Sequence, residues 1–147
     1  MTMAATKPNA TGAPGYSETL PCVKESAGIA RRLVRAALET WKLEALIEVS
    51  ELVVSELASN SIMHSGSPHM RVAVDRTGDD RVRVAVSDKS RQAPATSHAS
   101  DEDESGRGLL LVEAFAERWD TDYRLWGKVI WAEMVAPPAP CAGGSNE

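Results

Sequence analysis

Three polar residues recur at a spacing of four in the segment Val54-Ser55-Glu56-Leu57-Ala58-Ser59-Asn60-Ser61-Ile62-Met63-His64. On a helix, Glu56, Asn60 and His64 stand at i, i+4 and i+8 and share one face. The line runs back toward Val53 and Val49, which are apolar. A carboxylate, a carboxamide and an imidazole therefore prolong a core-facing stripe. Burying such groups without partners costs a few kcal/mol each. They either line a cavity, bond one another, hold a ligand, or form a solvated strip on the helix edge. Asn is a poor helix former and needs a reason to sit mid-helix. Its neutral oxygen suits Mg²⁺, which takes few protein ligands and completes its shell with water and phosphate. A Glu one turn away can orient or deprotonate a hydroxyl or a water. His64 can hydrogen-bond into the same place, or serve as a cap or core residue.

Two further features could do chemistry. Ser105-Gly106-Arg107-Gly108 precedes an apolar run, Leu109-Leu110-Leu111-Val112. At a helix start, free N–H groups and the helix dipole favour phosphate, and glycine allows close backbone approach. Arg107 adds a cation or points to solvent. A short Gly-x-Gly is also an ordinary turn. Asp88 ends an alternating stretch, where a carboxylate can accept from an exocyclic amine such as that of adenine or simply form a turn. No Cys/His set has zinc spacing: His64 and His69 are five apart, and Cys22 and Cys141 stand near opposite ends. These cysteines read as lone thiols rather than a disulfide.

The elements that must position these residues follow from periodicity. Residues 1–17 and 136–147 are rich in Ala, Pro, Gly and Thr or Ser and read as flexible tails. A short strand is predicted at Glu18 to Leu20. Ile29, Leu33, Ala37 and Trp41, with Ala30, Val34 and Leu38 beside them, predict a helix from Ser26 to about Trp41. Leu46, Val49, Val53 and Leu57 predict a second, from about Leu46 to His64, stopped by Gly66 and Pro68. Met70 to Asp75 and Arg81 to Val86 alternate around the turn Thr77-Gly78-Asp79-Asp80 and predict a hairpin. Lys89 to Glu104 reads as a long loop, Leu109 to Glu117 as a short helix, and Arg118 to Leu125 with Lys128 to Val135 as a closing hairpin. Trp126 and Trp131 on that hairpin read as core, with a homodimer face as the alternative. Helices grouped against hairpins imply an α+β two-layer sandwich with a mixed, mostly antiparallel sheet and helices on one face.

Composition narrows the class. The chain has 147 residues, 43% of them hydrophobic, and a net charge of −5. The acidic balance disfavours a broad nucleic-acid face and anionic lipid. No apolar run reaches the ~20 residues of a membrane span, and Met1 to Gly15 lacks the apolar core of a secretory signal. The expected location is cytoplasmic. The loop from Lys89 to Glu104 holds two basic and four acidic residues, and its run Asp101-Glu102-Asp103-Glu104 is expected to face solvent.

Taken in order, these elements resemble the ATP-binding domain of the GHKL superfamily, the Bergerat fold of gyrase, histidine kinases and mismatch-repair ATPases. Within it the chain looks most like the stand-alone anti-sigma-factor serine/threonine kinases of actinobacterial type. Ser55 to His64 is similar to the N box, Val86-Ser87-Asp88 to the start of the G1 box, and Glu104 to Val112 to the G2 box. The stretch from Trp119 through Glu133 resembles the closing hairpin. The likeness spans about Glu18 to Val135. It implies that Glu56 is the general base and that Asn60 coordinates Mg²⁺. It implies ATP contacts from Asn60, His64, Asp88, Ser105, Gly106, Arg107, Gly108 and Leu109, with residues 89–104 as the ATP lid. It also implies a STAS-type anti-anti-sigma protein as phosphate acceptor and a sigma factor as second partner. One departure stands out: where the G1 box runs Asp-x-Gly-x-Gly, this chain reads Asp88-Lys89-Ser90-Arg91-Gln92. Loss of both glycines favours a second reading, a non-catalytic module that sequesters a regulator with weak or no nucleotide turnover. A nucleotide domain serving a two-component kinase is disfavoured, because the 147 residues hold no dimerisation helix pair or attached sensor.

Overall fold

The computed structural model describes residues 7–8, 14–90 and 104–137. The calls that rest on residues 1–6, 9–13, 91–103 and 138–147 lie outside them; they include most of both tails, most of the long loop, and Cys141. The elements run β1 (Lys7–Pro8), β2 (Pro14–Pro21), α1 (Ser26–Thr40), a 3-10 turn (Glu44–Leu46), α2 (Ile47–His64), β3 (His69–Gly78), β4 (Arg81–Asp88), α3 (Glu104–Phe115), β5 (Arg118–Arg124) and β6 (Gly127–Val135). The six strands form one sheet in the order β1-β2-β3-β4-β6-β5. Every pairing is antiparallel, so among the described residues the sheet is not mixed.

Alternation decides which side of the sheet is covered. Met70, Val72 and Val74 on β3, Val82, Val84 and Val86 on β4, and Ile130, Ala132 and Met134 on β6 are all buried. Cross-strand pairing places Val74, Val84 and Ala132 in one row and Val72, Val86 and Ile130 in the next. Against this face lie Ala30, Leu33, Val34, Ala37 and Leu38 of α1 and Val53, Val54, Leu57 and Ala58 of α2, in one apolar cluster. The layers are those of an α+β sandwich. At α2's end Gly66 takes φ +67°, the left-handed turn that terminates many helices. Arg35 of α1 bonds Glu51 of α2 at 2.9 Å and ties the two helices on their outer side.

Three further sequence expectations change. Strand β2 starts at Pro14 rather than Glu18, because Gly15 to Pro21 all pair with β3, and β1 pairs with β2, so Lys7–Pro8 and residues 14–17 of the expected flexible tail are strand. Helix α3 begins at Glu104, five residues before the expected Leu109, so Gly106 and Gly108 stand inside its first turns rather than before it. Trp126 is not core: it sits in the two-residue turn between β5 and β6 and is 52% exposed. Trp131 is half-buried, with the Arg83 guanidinium 4.0 Å above its ring. It lies among Ala85, Ser87 and Glu133, on the sheet face away from the helices. Among the described residues, no helix is long and apolar enough to cross a membrane.

Candidate functional site

Helix α2 packs on α3 at one flank and on β4 and β6 below. Asn60 is 3% exposed, and among the described residues its Nδ2 has no hydrogen-bond partner. A buried amide with an unspent donor disposes of the solvated-strip reading for this residue and marks where a ligand could bond. Glu56, one turn earlier, is half-buried, and burial raises its pKa above the ordinary carboxylate value. A carboxyl so placed is a better proton acceptor than a surface one. His64 is half-buried in the last turn of the helix.

Asp88 lies at the end of β4, 4% exposed, on the parity of Val82, Val84 and Val86. It is buried rather than solvated, and the bond it accepts from the Ser90 N–H, two residues on, is that of a strand-end Asx turn. Ser61 Oγ donates to Asp88 Oδ2 at 2.7 Å. Lys128 Nζ donates to Oδ1 at 3.0 Å, and the Ser90 N–H donates to the same oxygen at 2.9 Å. Lys128 is itself buried and reaches the Ser90 carbonyl at 3.3 Å. The Lys89 N–H donates to Ser67 Oγ. Gly127 makes this packing possible: a β-carbon there would run into the Asp88 carbonyl and stand 2.7 Å from the Lys89 α-carbon.

The remaining expected site residues, Ser105, Gly106, Arg107, Gly108 and Leu109, occupy the opening turns of α3, a helix that packs on α2. Their side chains lie outside the described residues, as does the loop from 91 to 103. Glu56 and Asn60 thus stand on α2, which packs on both α3 and β4, and Asp88 at the end of β4 is tied to α2 through Ser61. The structure adds Ser61 and Lys128, which sequence reasoning missed. Both had a signal. Ser61 follows Val53 and Leu57 at a spacing of four, on the buried stripe. Lys128 shares the parity of Ile130, Ala132 and Met134, and a lysine on a buried face needs a carboxylate.

No cluster of three or more His, Cys, Asp or Glu could hold a metal among the described residues. A neutral carboxamide oxygen such as that of Asn60 is a kind of ligand that Mg²⁺ accepts beside phosphate and water.

A two-layer sandwich with a polar strip on the second helix, a buried strand-end Asp and a glycine-containing helix start is the architecture of a nucleotide-binding domain. The family described as histidine kinase-like ATPase domain matches residues 20–134, and the chain belongs to it. No curated protein matches the chain.

Proposed function

We propose that the chain binds Mg-ATP at the junction of α2, α3 and the β4–β6 pair and passes the terminal phosphate to a serine or threonine of a STAS-type partner, while sequestering a sigma factor. The observation that carries the nucleotide reading is Asn60: a carboxamide inside a helix, 3% exposed, with its donor unspent, one turn from a carboxyl of raised pKa. Family membership supports the same reading. In it, Glu56 accepts the proton of the attacking hydroxyl. Asn60 would hold Mg²⁺, which when bound neutralises phosphate charge. The start of α3 would receive phosphate through its free N–H groups and dipole. Phosphoryl transfer asks mainly for such positioning and charge neutralisation. The choice of acceptor and of sigma factor comes from the likeness of the boxes to the anti-sigma kinases.

The test is incubation with γ-labelled ATP and candidate STAS proteins. Label is expected on a serine or threonine of the partner, at a rate that rises with pH above the ordinary glutamate range. Glu56→Ala is expected to keep ATP binding and to lose transfer by about a hundredfold or more. Equal transfer by both proteins removes Glu56 as the base.

A second reading, a regulator-binding module without turnover, is favoured by one observation: Asp88 is already bonded by three donors of the chain itself. A stable complex with the partner, unlabelled after prolonged incubation, would select it.

A further inference from the structure

Asp88 is the carboxylate that the nucleotide reading assigns to the base, and the following inference rests on that reading. A side chain reserved for a ligand should resemble Asn60, with unspent bonding capacity. Asp88 is the opposite. Its Oδ2 accepts from Ser61, and its Oδ1 accepts from Lys128 Nζ and from the Ser90 N–H. A carboxylate offers about four lone-pair positions, so three are taken. Its charge is matched by an ammonium 3.0 Å away, and the two side chains are 2% and 4% exposed. Lys128 is fixed from behind: it is the register partner of Asp88 on the neighbouring strand, and its second bond goes to the Ser90 carbonyl. Gly127 lets the β6 backbone come up against Asp88 and Lys89.

We propose that Lys128 is a specificity-determining residue of the nucleotide site: it occupies the base-reading carboxylate from within and removes the preference for a 6-amino purine. An exocyclic amine arriving at Asp88 gains little, because the carboxylate is already bonded and neutralised. A 6-oxo purine, rejected by a bare carboxylate through lone-pair repulsion, meets a pair whose charge is cancelled. Affinity then rests on the phosphates and on Asn60, and the base adds little discrimination. Replacing Lys128 with an uncharged side chain leaves a buried carboxylate short of a donor, and an amine on the ligand then satisfies it.

The experiment measures dissociation constants for Mg-ATP and Mg-ITP, the 6-oxo analogue, by calorimetry at about pH 8, with the full chain and with Lys128→Met. The wild-type constants are expected to agree within about fivefold. In Lys128→Met, ATP is expected to bind about tenfold tighter while ITP is unchanged, the worth of one hydrogen bond to a charged acceptor. A wild-type preference for ATP above about fivefold overturns the proposal, and this comparison stands even where the variant fails to fold. Unchanged or weaker ATP binding by a folded Lys128→Met also overturns it. Failure of the wild type to bind either nucleotide overturns the nucleotide reading itself, and the proposal with it. ATP binding with the wrong ratio overturns the proposal alone.

Discussion

Asn60 and Asp88 are both buried polar residues beside the same helix, yet their bonding states are opposed. Among the described residues Asn60 has a donor with no partner; Asp88 accepts from three donors. An unsatisfied buried group costs about 1–3 kcal/mol, so a ligand that bonds Asn60 recovers that cost. Mg-ATP at tenfold over its dissociation constant is therefore expected to add about 1.4 kcal/mol of stability, a rise of roughly 3–6 °C in Tm. Asn60→Ala is expected to remove most of that rise while leaving the unliganded Tm close to wild type or above it. An undiminished shift in the variant, read by differential scanning fluorimetry, would dissociate Asn60 from the nucleotide. The spacing of Glu56, Asn60 and His64 was legible in the sequence because helical period is a local property. The bonding state of each residue was not, because Ser61 and Lys128 reach Asp88 from 27 and 40 positions away.

At the scale of elements, both helices of the core and the strands β3, β4 and β6 follow the apolar periodicities closely. Helix α3 starts earlier than the apolar run suggests, at Glu104. Gly106 and Gly108 are poor helix formers but are tolerated in its first turns. The hairpin β5–β6 carries a second arrangement that alternation alone could not show. Glu133, on the open face, is 2% exposed beneath Arg118 at 2.9 Å, Arg83 at 3.3 Å and Arg81 at 3.5 Å. Burial pushes its pKa up, but hydrogen bonds and charge from Arg118 and Arg83 prevail and hold it below the ordinary carboxylate value. A lowered folded-state pKa means that the unfolded chain binds the proton more readily. The stabilisation is thus complete above the ordinary value near 4.5 and is lost as pH falls through the lower folded value. Glu133→Gln is expected to cost about 1–3 kcal/mol at pH 7. Urea titrations over a pH series should show that difference shrinking below pH ~4. A difference independent of pH would mean that packing, not charge, holds the three arginines.

The whole molecule puts its apolar weight on one side of the sheet and leaves the hairpin tip outside it. Trp126 at 52% and Leu125 at 96% exposure have few neighbours to lose. Trp126→Ala is expected to change unfolding stability by less than about 0.5 kcal/mol, against about 2–5 kcal/mol for Leu57→Ala in the core. Equilibrium denaturation compares them directly, and a large loss at Trp126 would return that residue to the core. The sandwich and its layers were readable from the alternation of helix and strand periods; the exposure of this tryptophan was not, because a turn of two residues obeys neither. Sheet order adds a consequence for chain topology. The hairpins β3–β4 and β5–β6 join neighbours, but β4 and β6 meet only after α3 and β5 have been passed. Such a long-range pairing is slow to close and easily misaligned. A slip of one residue would turn Ile130, Ala132 and Met134 to the open face and bring Trp131 and Glu133 inward. It would also part Lys128 from Asp88, leaving each charge buried or stranded. The ion pair at the mouth of the site is therefore an alignment pin for the central strands: the chain finds its register where its one buried lysine, among the described residues, finds its aspartate.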